Sequence, residues 1–208
     1  GLDYVDVFYS HRYDPETPLE ETMQALVDIV RQGKALYVGL SKYPAGKAEE
    51  AYRYLEARDV HCLLYQGRYN LFDRAPEEEG ILGQARAYGV GFIAFSPLAQ
   101  GLLTSRYLQG VPEDSRMAQG RFLKREVLTE AVLGKIKALD RVAAERGQTL
   151  AEMSLAWVLK DELVTSVIIG ASSVAQLEDN LKALRKVDFS KEELDRIEAI
   201  CHTPDGGQ

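Results

Sequence analysis

Short apolar runs alternate with helical patterns along most of the chain. The runs are Tyr4–Tyr9, Ala35–Leu40, His61–Tyr65, Gly91–Phe95 and Ser166–Ile169. Each is almost continuously apolar and rich in β-branched or aromatic residues, which is typical of parallel strands buried on both faces. Between the first two runs the apolar period becomes that of a helix, because Met23, Leu26, Val27 and Val30 recur at the spacing of one helical face.

Helix starts are marked by capping residues. Capping-box patterns occur at Thr17-Pro18-Leu19-Glu20, Thr149…Glu152, Ser173…Gln176 and Ser190…Glu193. Gly33 is a natural stop for the first helix, and Ala48, Ala51, Tyr52 and Leu55 predict a second one. The predicted order is βαβαβαβ, then a long irregular segment over 97–128, two helices, a strand and two more helices.

Repeated βα units leave two architectures, an open doubly wound sheet or a (β/α)8 TIM barrel. No Gly-x-Gly-x-x-Gly follows a strand, which weakens the first. Polar residues follow the strands instead, at Ser10-His11, Ser41, Gln66, Ser96 and 170–172, where a barrel has its active site. A whole barrel takes about 250 residues, so we expect a partial one: five βα units plus C-terminal helices in a single domain over 1–208, with the N-terminal strands missing.

Composition excludes some classes of function. The formal net charge of −7 argues against a nucleic-acid surface. No apolar run approaches the roughly 20 residues of a membrane helix, and no leader-like segment is visible. The distant Cys62 and Cys201 are expected to be reduced. These features predict a cytoplasmic protein without a nucleic-acid or membrane partner.

Several strand-end residues are candidates for chemistry, and each has a plainer alternative. His11 follows a strand, where its imidazole could polarise a carbonyl or simply form a local hydrogen bond. Metal binding is less favoured, because His61 and His202 show no ligand spacing with it. Ser41, Gln66 and Asn70 could hold an amide or a ribose, or could cap loops.

Other candidates point to a planar, anionic ligand. Phe95 could stack on a planar cofactor or belong to the core. The turn Ile169-Gly170-Ala171-Ser172 leads into a helix start, which is a natural anion site but a common pattern. Arg106 and Arg116 in the long segment suit a phosphate, although a solvated arginine is the usual alternative.

Taken together, these motifs resemble the aldo-keto reductase family across essentially the whole chain. The resemblance rests on five motifs in order: Tyr4-Val-Asp-Val-Phe-Tyr-Ser-His11, Gly33-Lys-Ala-Leu-Tyr-Val-Gly-Leu-Ser41, Gln66-Gly-Arg-Tyr-Asn70, Phe95-Ser-Pro-Leu-Ala-Gln-Gly-Leu-Leu-Thr104, and Ile168-Ile-Gly-Ala-Ser172 with Gln176-Leu-Glu-Asp-Asn180. Within the family the pattern is most similar to bacterial L-glyceraldehyde-3-phosphate reductases and next to the β-subunits of voltage-gated potassium channels, as Asp114-Ser-Arg-Met117 also indicates.

The resemblance implies a barrel that binds NADPH, with residues 97–128 covering the cofactor. His11 matches the histidine of the family's Asp-Tyr-Lys-His tetrad, which orients the substrate carbonyl. The implied cofactor contacts are the nicotinamide-amide residues Ser41 and Gln66, the stacking ring Phe95, the pyrophosphate-side Ser96, Pro97, Leu98, Gln100 and Gly101, the adenosine-phosphate clamp Gly170, Ser172, Gln176, Asp179 and Asn180, and the basic Arg106 and Arg116.

The chain also departs from the family pattern. Lys42 replaces the usual Asn or Ser after Ser41, Asp179 stands where Glu is common, and the clamp lacks a lysine, which puts the NADPH preference partly on Arg106 and Arg116. The tetrad's Asp, Tyr and Lys would precede Gly1, so we expect this chain alone to be inactive.

Three functions remain open from the sequence. First, the whole protein from which this chain comes is an NADPH-dependent reductase of small aldehydes such as glyceraldehyde 3-phosphate or methylglyoxal. Second, it is an NADP-sensing subunit that turns over slowly. Third, this chain is an inactive fragment. The resemblance also implies a parent that is a homo-oligomer.

Overall fold

The computed structural model of the chain describes residues 1–107 and 127–202. Its strands are β1 (Val5–Ser10), β2 (Ala35–Ser41), β3 (Cys62–Arg68), β4 (Gly91–Phe95) and β5 (Ser166–Ile168). Its α-helices are α1 (Leu19–Arg31), α2 (Ala45–Glu56), α3 (Ala75–Glu78), α4 (Ile81–Ala87), α5 (Glu130–Glu145), α6 (Leu150–Val158), α7 (Val174–Leu181) and α8 (Lys191–Cys201). Short 3-10 turns lie at Ala99–Gly101, Ser105–Tyr107 and Lys182–Arg185. The predicted alternation of strands and helices is confirmed, within a few residues at each end.

The strands form one sheet in the order β1-β2-β3-β4-β5. The first three pairings, from β1 to β4, are parallel, as the continuous apolar runs predict. The ladder between β2 and β3 pairs Ser41 with Gln66, and the ladder between β3 and β4 continues to Arg68 and Phe95. Gln66 therefore lies inside a strand, and the expectation that it follows the strand was wrong, because hydrogen bonding to both neighbours extends β3 past Tyr65.

The described residues divide into two compact units. The first comprises Gly1–Arg68, Arg74–Phe95 and Glu162–Ser166, and the second comprises the described residues of Tyr69–Asp73, Ser96–Asp161 and Val167–Gln208. The expectation of a single domain over 1–208 stays a prediction. Within residues 1–107 and 127–202, every helix is too short or too polar to cross a membrane.

In the first unit, α1 and α2 pack their predicted apolar faces toward the sheet. Met23 and Val27 of α1 and Ala48, Tyr52 and Leu55 of α2 are all at most 1% exposed. The α1 start differs from the prediction, since Pro18 precedes the helix without a side-chain cap. The helix begins one residue later than predicted, and the Thr17 hydroxyl donates to Asp14 at 2.8 Å in the preceding turn.

In the second unit, helices α5, α6 and α8 surround a core that includes Leu139, Met153 and Trp157. The predicted capping boxes at Thr149 and Ser190 are both present. They satisfy backbone N–H groups that would otherwise be left unpaired at the start of each helix.

Candidate functional site

The sheet of the first unit has two unlike faces. On one face, Val38, Leu40, Tyr65, Phe92 and Ala94 are at most 2% exposed. The other face, here called the open face, is formed by Tyr37, Gly39, Ser41, Gln66 and Phe95, which share one side of the sheet because side chains alternate along each strand. Tyr37 on this face is 46% exposed. Ser41, Gln66 and Phe95 therefore lie on the same face of the sheet.

Three of the predicted site residues lie together near the carboxyl end of the open face. Ser41 is the last residue of β2 and pairs with Gln66, so their side chains are neighbours about 5 Å apart. Phe95 is the last residue of β4 and pairs with Arg68, two residues beyond Gln66. His11 follows the last residue of β1 and is exposed. The parallel pairing gathers a hydroxyl, an amide, an aromatic ring and an imidazole at one end of one sheet.

The polar groups in this set are not used by the fold. Among the described residues, none forms a hydrogen bond with the side chain of Ser41, Gln66 or His11. Ser41 is nevertheless only 3% exposed. A hydroxyl and an amide that the described residues leave unpaired, side by side at the end of the sheet, are available to a polar ligand.

The Ser10 hydroxyl, by contrast, is hydrogen-bonded within the fold. Its hydroxyl lies 2.7 Å from the Tyr43 hydroxyl, and the Tyr65 hydroxyl donates to the Tyr43 carbonyl at 2.7 Å. Burial raises the pKa of Tyr43, and the hydrogen bond with Ser10 only partly offsets this rise. Burial likewise raises the pKa of Tyr9 and brings that of Tyr65 to about 12. A tyrosine that donates a proton in catalysis needs a pKa tuned downward, so these three phenols are unsuited to that role.

The segment after β4 holds an unusual backbone in the second unit. Ser96, Ala99 and Gln100 have φ of 54°, 47° and 59°, values that non-glycine residues seldom adopt. Such conformations persist where the surroundings over-determine them and are common at ligand-binding segments. The Gln100 Oε1 is buried without a hydrogen-bond partner among the described residues, which leaves one acceptor for a ligand.

Asn70 positions this segment and is not itself available for a ligand. Its Nδ2 donates to the Ser96 carbonyl at 3.0 Å, and its Oδ1 accepts from the N–H groups of Phe72 and Asp73 at 2.9 and 3.0 Å. Of the two sequence interpretations of Asn70, the structure shows the loop cap. Its amide is used by the turn that follows β3 and by the chain that leaves β4.

The predicted phosphate clamp forms the start of α7. Ser173 caps the helix by accepting from Gln176 N–H at 3.2 Å. The Gln176 side chain does not complete the box, because its Oε1 accepts from the backbone N–H and the hydroxyl of Ser172, at 2.7 and 2.9 Å. Gly170 precedes this turn and is exposed. The two Ser172 donors are aligned on one acceptor, so an anion at this turn would displace the Gln176 amide oxygen.

The last clamp residues differ in how the fold uses them. Asp179 pairs with Lys182 at 2.6 Å on the surface. Asn180 is 8% exposed, and its Nδ2 is buried without a hydrogen-bond partner among the described residues. Asn180 and Gln100 thus each leave a buried polar atom unpaired within the same unit, and both belong to the predicted cofactor residues.

The structure describes one of the two predicted arginines. Arg106 lies in the 3-10 turn Ser105–Tyr107, is exposed, and donates its backbone N–H to the Thr104 hydroxyl at 3.3 Å. Arg116 lies outside the described residues.

The whole pattern agrees with comparisons against known proteins. The model of the aldo/keto reductase family matches residues 1–202. The chain belongs to the aldo/keto reductase family. It is 48% identical over 210 residues to the L-glyceraldehyde 3-phosphate reductase of Escherichia coli (strain K12), covering 99% of this chain and 60% of that protein. It is 38% identical over 207 residues to a protein of Oryza sativa subsp. japonica named "Probable voltage-gated potassium channel subunit beta", covering 97% of this chain and 63% of that one.

A solved structure confirms the fold. The crystal structure of a thermostable aldo-keto reductase in complex with the inhibitor epalrestat matches with a TM-score of 0.70 and 30% identity, covering 95% of this chain and 60% of that one. The chain therefore has the aldo-keto reductase fold with its parallel sheet, and it spans about three fifths of the length of these relatives.

Lys42 lies near the site but is not among the site residues that the sequence predicted. It follows Ser41, adopts φ of 56°, and places its Nζ 5.8 Å from the centroid of the Phe95 ring. The only available signal was the departure from the family pattern at this position. Sequence could not assign it, because the contact joins residues more than fifty positions apart.

Proposed function

We propose that this chain binds NADPH and belongs to an NADPH-dependent reductase of small aldehydes. One observation carries the proposal: the side chains of Ser41, Gln66 and His11, gathered at the carboxyl end of the sheet, form no hydrogen bond with the described residues. The names of the relatives add support, since the Escherichia coli relatives are L-glyceraldehyde 3-phosphate reductases.

The first unit offers what a nicotinamide requires. A carboxamide needs both a donor and an acceptor, and Ser41 and Gln66 supply both as neighbouring side chains. Phe95, at the end of β4, presents an aromatic ring on the same face, which suits a planar ring. The bound cofactor would supply hydride, and the protein would hold and orient it.

The second unit carries the other residues that the family resemblance assigns to the cofactor. We assign the pyrophosphate side to Ser96, Pro97, Leu98, Gln100 and Gly101. We assign the adenosine and its phosphate to Gly170, Ser172, Gln176, Asp179 and Asn180, together with Arg106 and Arg116. The buried unpaired atoms of Gln100 and Asn180 fit this assignment, because each lacks a partner that a polar ligand would provide.

His11 would act on the substrate. Its imidazole is exposed beside the carboxyl end of β1, where a ring nitrogen can donate to a carbonyl oxygen and orient it for reduction. The developing alkoxide also needs a proton donor, and the raised pKa values of Tyr9, Tyr43 and Tyr65 do not provide a tuned one. We therefore propose that the family's Asp, Tyr and Lys lie outside these 208 residues.

We propose further that the sheet is part of a (β/α)8 barrel. Apolar side chains of the first two strands support this, because Val5 and Phe8 are 37% and 43% exposed and Leu36 and Tyr37 are 53% and 46% exposed. Further βα units of the same fold would cover such surfaces.

Cofactor binding can be tested without catalysis. NADPH fluorescence should report binding, and Gln66→Leu should weaken it by about ten-fold, because it removes two hydrogen-bonding atoms at the amide site. Gln32→Leu is the matched control, since Gln32 is an exposed residue at the end of α1. Equal affinities for the two variants would refute the assignment of Gln66.

Turnover separates the reductase from a binding subunit. The 208-residue chain alone should not oxidise NADPH measurably with glyceraldehyde or methylglyoxal, since loss of general acid help typically lowers rates by about 10²–10⁴-fold. The natural protein should turn over. Measurable turnover by a monomer of the 208-residue chain would contradict the proposed absence of the acid. Binding without turnover in the natural protein would favour an NADP-sensing subunit.

A further inference from the structure

The carboxyl ends of three neighbouring strands carry cations. Arg12 lies two residues beyond β1, Lys42 lies one residue beyond β2, and Arg68 is the last residue of β3. The chain as a whole has a formal net charge of −7. Arg12 and Lys42 thus place positive charge at this end of the sheet, opposite in sign to the protein as a whole, which favours an anion there.

The contact between Lys42 and Phe95 defines where the Lys42 side chain points. Its Nζ is 5.8 Å from the ring centroid of Phe95, which ends β4, whereas Lys42 itself follows β2. Strands β2 and β4 are separated by β3, a spacing of about 10 Å. The side chain therefore extends across the end of β3, in front of the strand that carries Gln66.

The charge of Lys42 is not neutralised within the fold. Among residues 1–107 and 127–202, no carboxylate forms an ion pair with it. Asp14, which follows β1, accepts from the Glu16 N–H and the Thr17 hydroxyl in its own turn. Glu50, on α2, pairs with Lys47 at 2.7 Å. Among the described residues, the Lys42 ammonium group contacts the Phe95 ring but has no carboxylate partner, so it is available to an incoming anion.

We propose that Lys42 determines substrate specificity by binding the phosphate or carboxylate of an anionic small aldehyde. This rests on the proposed function, because the aldehyde would lie between His11 and the cofactor at the same end of the sheet. A neutral aldehyde of the same carbon skeleton gains nothing from the ammonium, whereas an anionic one gains a charged hydrogen bond. Lys42 is thus a specificity residue and takes no part in the hydride or proton transfer.

The test uses the natural protein saturated with NADP⁺. Glycerol 3-phosphate and glycerol serve as unreactive probes, and their dissociation constants are measured by isothermal titration calorimetry. Lys42→Met should weaken binding of glycerol 3-phosphate by about ten-fold and leave glycerol unchanged. Lys42→Arg should retain most of the affinity, since it keeps the charge. Lys47→Met is the matched control, because Lys47 lies on α2 and pairs with Glu50.

The outcomes are distinct. Wild-type protein that binds glycerol 3-phosphate no more tightly than glycerol would overturn the proposal, as would equal binding of glycerol 3-phosphate by wild type and Lys42→Met. A loss in Lys42→Met but not in Lys42→Arg or Lys47→Met would support it. If the natural protein binds as expected but reduces neither glyceraldehyde 3-phosphate nor glyceraldehyde, the reductase proposal fails and the anion site at Lys42 stands.

Discussion

Asn180→Leu should make the cofactor-free protein more stable and its cofactor complex weaker. Asn180 is 8% exposed, and its Nδ2 has no hydrogen-bond partner among the described residues. A buried donor left unpaired costs roughly 1–3 kcal/mol, and leucine is a better helix former than asparagine by a few tenths of a kcal/mol. The free energy of unfolding should therefore rise by about 1–3 kcal/mol. NADPH affinity should fall by about ten-fold, because the ligand loses one buried donor.

Asn70→Leu provides the matched comparison in the same unit. Asn70 is 2% exposed, but its amide makes three hydrogen bonds, to Ser96, Phe72 and Asp73. Removing the amide takes the side-chain acceptor from the Phe72 N–H, while the Asp73 N–H and the Ser96 carbonyl keep their backbone bonds to Asn70 and Ala99, so the free energy of unfolding should fall by about 1–3 kcal/mol. Urea unfolding measured without cofactor, and NADPH fluorescence titration of the folded proteins, give both quantities for both variants.

We expect Asn180→Leu and Asn70→Leu to change the free energy of unfolding in opposite directions. If Asn180→Leu destabilises the cofactor-free protein as much as Asn70→Leu does, the Asn180 amide serves the fold and is not kept for a ligand. If Asn180→Leu is more stable but binds NADPH with unchanged affinity, the unpaired amide exists without contacting the cofactor, and its assignment to the adenosine side is wrong.

Three further predictions concern other parts of the chain. Arg146→Met should lower the free energy of unfolding by about 2–4 kcal/mol, because the Arg146 side chain is 1% exposed and pairs with Glu193. Burial raises the pKa of Glu193, but the hydrogen bonds from the Ser190 N–H and from Arg146 outweigh burial and lower it. The stabilisation is therefore complete above the unfolded-state pKa of about 4.3 and is lost as pH falls through the folded-state pKa. The free energy of unfolding of Arg146→Met should accordingly change less between pH 7 and acid pH than that of the wild type. Arg116→Ala should weaken NADPH binding by about ten-fold to a hundred-fold and leave NADH nearly unchanged, and equal losses would show that this arginine does not bind the 2′-phosphate. Burial raises the pKa of the Cys62 thiol to about 12, so iodoacetamide at pH 8 should label Cys201 first, as peptide mass analysis would show; faster labelling of Cys62 would mean that β3 opens readily.

Local patterns predicted the elements well, because the forces that form them act within a few residues. The spacing of Met23 and Val27 defined a buried helix face, and the capping boxes at Thr149 and Ser190 formed as their sequences indicate. The box at Thr17 did not form, because the helix begins one residue later, after Pro18, and the Thr17 hydroxyl belongs to the preceding turn with Asp14.

The sequence indicated which residue types lie at the candidate site, but it did not indicate the contacts between residues far apart in the chain. Ser41 and His11 were recognisable because each directly follows an apolar run, and parallel strands present such residues at the same end of a sheet. The sequence by itself thus determined the family, the order of strands and helices, and the residue types available at the carboxyl ends. Tertiary structure alone decided which of those polar groups stay unpaired. The Asn70 amide is used by Ser96, the Asn180 Nδ2 is buried without a partner among the described residues, and Lys42 reaches Phe95 across a strand. Each of these outcomes depends on a distance between residues far apart in the chain, and such distances exist only once the strands have paired.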